Sequence, residues 1–200
     1  VTASDWGTIL GHNSYSNIND LYLKKCGHEK PFVKNAAIMW GVKYEDVAIQ
    51  IYNYRNNTNV KEYGLIKHPK FQYLGASPDG ITDDGIMVEI KCPSKRQITG
   101  IPPQYYFDQV QGQLEVCELD RCDFLECNIK EYDSEEEYFS DNHNGDYRKT
   151  SNNMEKGFLL EFLHKTTKEY SFEYGPICSN KSEIIEWIAD ILDKKYKNND

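Results

Sequence analysis

Gly75-Ala76-Ser77-Pro78-Asp79-Gly80, followed after an Asp83-Asp84-Gly85 turn by Val88-Glu89-Ile90-Lys91-Cys92-Pro93, is the stretch on which the fold turns. A tight Asp-Gly turn between alternating residues signals a hairpin. One strand is expected over Phe71 to Gly75 and a second over Ile86 to Lys91, in a hairpin from about Phe71 to Cys92. Side chains alternate across a strand, so Glu89 and Lys91 share one face while Val88 and Ile90 point to a core. Asp79 ends the preceding strand and can stand beside Glu89. Two carboxylates and one ammonium then converge at one sheet edge.

Their chemistry follows from residue type. Asp79 and Glu89 are hard oxygen donors suited to Mg²⁺ or Mn²⁺, and the Ile90 carbonyl offers another oxygen. Lys91 can orient or deprotonate a water and offset charge gathering on a phosphate. Two ions about 4 Å apart would stabilise both attacking and leaving oxygens. The plainer reading stands beside this one: Glu-x-Lys also describes an ordinary exposed strand face, and Asp-Gly an ordinary turn.

Outward from the hairpin, Thr2-Ala-Ser4-Asp5 reads as a helix start, with a helix through Ile9 and Leu10 to Gly11. A short helix is expected from Asp20 to Cys26. Ile38, Val42, Val47, Ile51 and Tyr54 recur at helical spacing and predict one long helix over Asn35 to Tyr54, weakened at Gly41. Pro102-Pro103 precede a helix from Gln104 to Cys117. A strand over Asp123 to Tyr132, a hairpin of Gly157–His164 with Tyr170–Tyr174, and a helix from Lys181 to Tyr196 complete the order. The whole is a mixed α/β domain, a central mixed sheet flanked by helices.

At 200 residues the chain suits one domain. That domain reads as a motif-bearing core over about 1–132, an acidic insertion over about 131–156, and a closing hairpin and helix over 157–197. No run of about 18 apolar residues is present to span a membrane. Opening on Val1, the sequence is expected to lack its true N-terminus. Six cysteines are too few for a disulfide scaffold and point to an intracellular, reducing compartment. The net charge of −9 argues against a simple nucleic-acid coat, yet a local basic groove can still hold DNA. Much of the acid lies in Glu131 to Asp141, expected as a solvated loop. The histidines form no zinc grouping, and the cysteine spacing matches no compact iron–sulfur motif.

Ser77-Pro78-Asp79-Gly80…Glu89-Ile90-Lys91-Cys92-Pro93 resembles the PD-(D/E)XK nuclease signature, and more narrowly its YqaJ/lambda-exonuclease-like branch. Val1-Thr-Ala-Ser4, Trp40-Gly-Val-Lys-Tyr-Glu45 and Gln109-Val-Gln111-Gly-Gln113-Leu resemble further motifs of that branch, in its order. The resemblance implies a restriction-endonuclease-like core and a DNA exonuclease acting on double strands, from 5′ ends, in viral or phage recombination or replication. It implies Glu45 as a third metal-facing carboxylate and Gln109 beside the metals or the scissile phosphate. It also implies two Mg²⁺ or Mn²⁺ ions, a ring-shaped homo-oligomer such as a trimer, and a single-strand annealing partner. Thr2 and Ser4 would hold a 5′-phosphate, although helix capping needs the same residues. Tyr105, Gln109 and Gln113 fall on one helix face that could track DNA, or face water. Lys95 and Arg96 could meet the DNA backbone, or form a solvated pair. The rivals are an endonuclease or nickase on the same core, an inactive DNA-binding module, and a structural protein using the hairpin as an interface.

Overall fold

The computed structural model describes residues 1–28 and 35–197. They gather into two compact units, one of Val1–Glu45 with Asn56–Asn128 and one of Asp46–Arg55 with Ile129–Asp200. Among the described residues, no helix is long and apolar enough to cross a membrane.

The first unit opens with a 3₁₀ turn, Ala3–Asp5, running into α1 (Trp6–Ile9), then α2 (Ile18–Lys25). Asn17 starts α2 by accepting hydrogen bonds from the Asn19 and Asp20 amides, both at 3.0 Å. The long helix α3 (Ala36–Asn56) follows, with the Asn35 side chain accepting from the Ile38 amide at 2.9 Å. Its first part, to Glu45, and its last residue, Asn56, belong to this unit.

Short strands β1 (Val60–Lys61), β2 (Ile66–Lys67), β3 (Gly75–Ala76) and β4 (Gly80–Thr82) lead to β5 (Met87–Lys91), α4 (Gln104–Cys117) and β6 (Cys122–Glu126). The main sheet runs β1-β4-β5-β6, antiparallel except for the parallel β5–β6 pair, so it is mixed as expected. Gly80 faces Val88 and Ile81 faces Met87, which sets the hairpin register. Met87, Val88, Glu89 and Ile90 are all buried, so both faces of β5 are covered. A core of Ala3, Ala76 and Val116 ties the N-terminal turn, β3 and α4 together.

The strand expected over Phe71 to Gly75 is a turn instead. The His68 ring nitrogen Nδ1 accepts from the Lys70 amide at 3.0 Å, and the Phe71 carbonyl accepts from the Leu74 amide at 2.8 Å. A side chain that captures backbone amides withdraws them from a ladder. Gly75–Ala76 instead pair with β2 as a separate two-stranded sheet. The expected strand to Tyr132 likewise stops at Glu126.

In the second unit, β7 (Leu159–Leu163) and β8 (Tyr170–Tyr174) form the expected hairpin, and α6 (Lys181–Lys197) closes the chain. Trp187 of α6 meets Phe158 edge to face, with centroids 5.1 Å apart. The acidic run is more than a solvated loop. It contains α5 (Glu135–Ser140), whose Ser134 hydroxyl accepts from the Glu137 amide at 3.1 Å. Three glutamates in its first turn complement the positive end of the helix. Lys156 is buried beneath it, with its ammonium donating to the Tyr138 carbonyl, and to that of Asp141 at 2.7 Å.

Candidate active site

Glu89 is the centre of the site and only 1 % exposed. It lies mid-strand on β5, where the pleat turns it away from Val88 and Ile90 and towards α4. Its Oε1 accepts from the Lys91 ammonium and from Gln109 Nε2 at 2.6 Å. Its Oε2 accepts from Gln113 Nε2 at 2.7 Å. Alternation does put Glu89 and Lys91 on one face, as the spacing predicts.

Asp79 sits in the bend just before β4 rather than on a strand. Extending the β4–β5 register by one step sets it opposite Glu89, and its Oδ2 accepts from the Ile90 amide at 2.6 Å. Burial, then the neighbouring Glu89 charge, drive its pKa up to about 7; Lys91 and the Ile90 amide pull the other way and Glu45 adds to the rise. Burial alone would lower the Lys91 pKa, but Glu89, Asp79 and Glu45 outweigh it and hold the ammonium charged. The Lys91 ammonium also lies 5.1 Å from the Tyr106 ring centroid, a cation–π contact.

Glu45, on α3 and exposed, is close enough for its charge to act on both Asp79 and Lys91. Cys92, next to Lys91, donates its thiol to the Tyr44 carbonyl at 3.4 Å, which ties the end of β5 to the turn of α3 carrying Glu45. The Cys92 thiol is pushed up by its hydrogen bond with Cys127, by burial and by nearby carboxylates, which makes it inert. None of the six cysteines is in a disulfide.

Asp79, Glu89 and Glu45 thus bring three carboxylates to one edge, with the Lys91 ammonium among them. Among the described residues, no three carboxylate, thiol or imidazole groups stand already gathered as ligands. Glu89 is held by three donors and Asp79 by one. The chemistry of the donor set nonetheless fits a hard divalent cation, and Asp79 is raised first by burial and then by the Glu89 charge.

The other expected residues divide. Gln109 reaches Glu89 directly. Gln113, expected on a DNA-tracking stripe, is buried at 1 % exposure beneath Glu89 and has no surface from which to meet DNA. Tyr105 packs against α1, its ring edge-on to Tyr15 at 6.1 Å. Lys95 is exposed, whereas Arg96 is paired with the buried Glu126 of β6. Thr2 and Ser4 hydroxyls lie 3.1 Å apart, and Thr2 also donates to Asp5 at 3.1 Å. Sequence reasoning missed Asp108, which is buried and bonded to His12 at 2.7 Å and Gln104 at 3.1 Å. With His12 and Asp108 far apart along the chain, only the α1–α4 packing reveals that pair.

The site therefore combines a mixed sheet, a carboxylate-bearing hairpin and a glutamine-bearing helix, the arrangement of a PD-(D/E)XK nuclease core. A family model described as the YqaJ-like viral recombinase domain matches residues 1–120, and the chain belongs to that family. An uncharacterised protein of Acanthamoeba polyphaga mimivirus is 36 % identical over 231 aligned positions, covering 100 % of this chain and 42 % of the relative. The chain thus spans less than half the length of that viral protein.

Two solved structures of the alkaline exonuclease LHK-Exo, from Laribacter hongkongensis, share the fold. The one in complex with dAMP aligns at a TM-score of 0.56 and 30 % identity, covering 66 % of this chain and 71 % of that one. The other aligns at 0.53 and 31 %, covering 63 % and 68 %.

Proposed function

We propose that this chain carries a divalent-metal-dependent deoxyribonuclease site that degrades double-stranded DNA from its ends, in the manner of an exonuclease. The observation that carries the reading is Glu89, fully buried yet bonded to Lys91 and two glutamine amides, with Asp79 one register step away. A buried carboxylate in that setting is expensive unless it serves a charged partner. Family membership and the likeness to an alkaline exonuclease support the same chemistry.

Asp79, Glu89, Glu45 and the Ile90 carbonyl would hold Mg²⁺ or Mn²⁺, one or two ions, which supply Lewis acidity and lower the pKa of a bound water. The chain's own residues do the rest. Lys91, steered by Glu89, orients the attacking water and offsets charge on the phosphate. Gln109 holds Glu89 from the α4 side and borders the position of the scissile phosphate. Asp79 is fixed in plane by the Ile90 amide. Thr2 and Ser4 receive a 5′-phosphate, and exposed Lys95 follows the backbone. A single nuclease domain, ring assembly around DNA, cooperation with a single-strand annealing protein and a role in viral recombination extend this reading.

Digestion of linear and circular duplex DNA tests it. Metal-dependent loss of linear DNA alone is expected, with 5′-labelled nucleotides released first. Cutting of the circle would turn the reading to an endonuclease on the same site.

A further inference from the structure

We propose that Gln113 is a positioning residue for Glu89: its amide fixes Oε2 of that carboxylate for a divalent cation, and so governs metal affinity and turnover without touching DNA. The proposal rests on the nuclease reading above and deepens it.

Gln113 lies one helical turn beyond Gln109, on the same face of α4, and both reach down to β5. The depth of α4 is set nearby. A Cβ on Gly112 would come within 2.8 Å of the Trp6 ring, so only glycine lets the two elements approach this closely. At that depth Gln113 Nε2 donates to Glu89 Oε2 at 2.7 Å and to the Ser77 carbonyl at 3.5 Å. Both of its N–H groups are thus committed. Turning the amide over would set its oxygen against a carboxylate and a carbonyl, so the network itself fixes the orientation.

Counting acceptor sites shows what this achieves. Each carboxylate oxygen offers about two lone-pair directions. Oε1 spends both, on Lys91 and Gln109. Oε2 spends one, on Gln113, and keeps one. Oε2 is therefore the oxygen with capacity left for a cation, and Gln113 decides where that capacity points.

A role in packing alone does not account for the residue. The Gln113 carbonyl oxygen is buried without a hydrogen-bond partner among the described residues. An unpaired buried acceptor is costly, and an apolar side chain of the same length would avoid the cost. The donor half of the amide is what repays it. Residues that hold a ligating carboxylate commonly change metal affinity by roughly 10- to 100-fold when removed.

The test compares wild type with Gln113→Met, which keeps length and removes the donor, and with Gln113→Asn, which keeps the amide but draws it back by one methylene. Val116→Ala, a core change in the same helix, controls for general loosening. Each protein is titrated with Mn²⁺ alone by calorimetry, unfolded thermally in EDTA, and assayed for kcat and KM on linear duplex DNA. Gln113→Met should bind Mn²⁺ roughly 10- to 100-fold more weakly, with kcat lowered and KM for DNA unchanged. Gln113→Asn should fall between, and Val116→Ala should lose thermal stability while keeping its Mn²⁺ affinity. Wild-type affinity and kcat in Gln113→Met would overturn the proposal, as would an equal loss of affinity in Val116→Ala. If Gln113→Met does not fold, Gln113→Asn decides by the same two readouts. A wild type that neither takes up Mn²⁺ nor cleaves DNA is a different result, and overturns the nuclease reading together with this proposal.

Discussion

Glu89 in the first compact unit and Glu155 in the second are both carboxylates taken out of water, and they are held by opposite means. The Glu155 side chain, 6 % exposed, receives a two-pronged bond from the Arg55 guanidinium at 2.6 and 3.1 Å, and Lys149 lies at 3.3 Å. Two cations serve one anion there, and its pKa falls to about 2, chiefly through Arg55 and despite burial, with Lys149 adding to the fall. Around Glu89 the balance is reversed. Two of its three donors are neutral amides and one is an ammonium, and burial followed by the Glu89 charge drives neighbouring Asp79 up to about 7. A charge matched by the fold's own cations stiffens the fold. A carboxylate that burial and a neighbouring carboxylate push up in pKa is a candidate for function. On the proposed reading, the contrast separates a reactive carboxylate at Glu89 from a structural clasp at Glu155.

The largest effect should come from breaking the undermatched side. Lys91→Ala or Glu89→Gln is expected to lower DNA hydrolysis by at least about a hundredfold while circular dichroism shows a folded protein. Next, Mn²⁺ at about a hundredfold excess over its Kd should raise stability by roughly 3 kcal/mol, or roughly 5–10 °C in Tm. Asp79→Asn should abolish that shift, and Arg55→Ala should leave it in place. Third, removing the clasp with Arg55→Ala leaves Glu155 buried with Lys149 alone. Urea unfolding should show a loss of about 1–3 kcal/mol with metal absent, the cost of an acceptor left short of a donor, because Arg55 is itself half-exposed.

The smallest effect is on the acid side. The Glu155 carboxyl has a folded pKa below its ordinary value, so it contributes stability that is present above about pH 4.5 and lost as pH falls towards about 2. Tm measured across that window should fall more gently in Arg55→Ala than in wild type. Equal slopes would show that the clasp does not set the titration of Glu155.

The two regions also differ in how far they could be read from sequence. The α4 helix was legible from Gln104 to Cys117, because Pro102-Pro103 fix its start. Glu89 and Lys91 were legible as partners because a strand alternates strictly. Gln113 was legible as a face-mate of Gln109 but not as a buried one, since periodicity says which residues share a face and not what covers it. Arg96 read as either a DNA contact or a solvated charge, because its partner Glu126 is brought to it only by the parallel β5–β6 pairing. Phe71 and Tyr73 alternate like a strand, yet His68 folds that segment into a turn and leaves both rings exposed. The Arg55–Glu155 clasp had no local signal at all, because its members are 100 positions apart and meet only through tertiary packing.

The most direct test of the central claim is a time course of linear duplex DNA digestion with Mg²⁺, with Mn²⁺ and with EDTA. Wild type, Lys91→Ala and Arg55→Ala are compared at a temperature where all three are folded. Cleavage by wild type and Arg55→Ala is expected in either metal, with none in EDTA and none by Lys91→Ala. Cleavage by Lys91→Ala at the wild-type rate, or cleavage undiminished by EDTA, would contradict it.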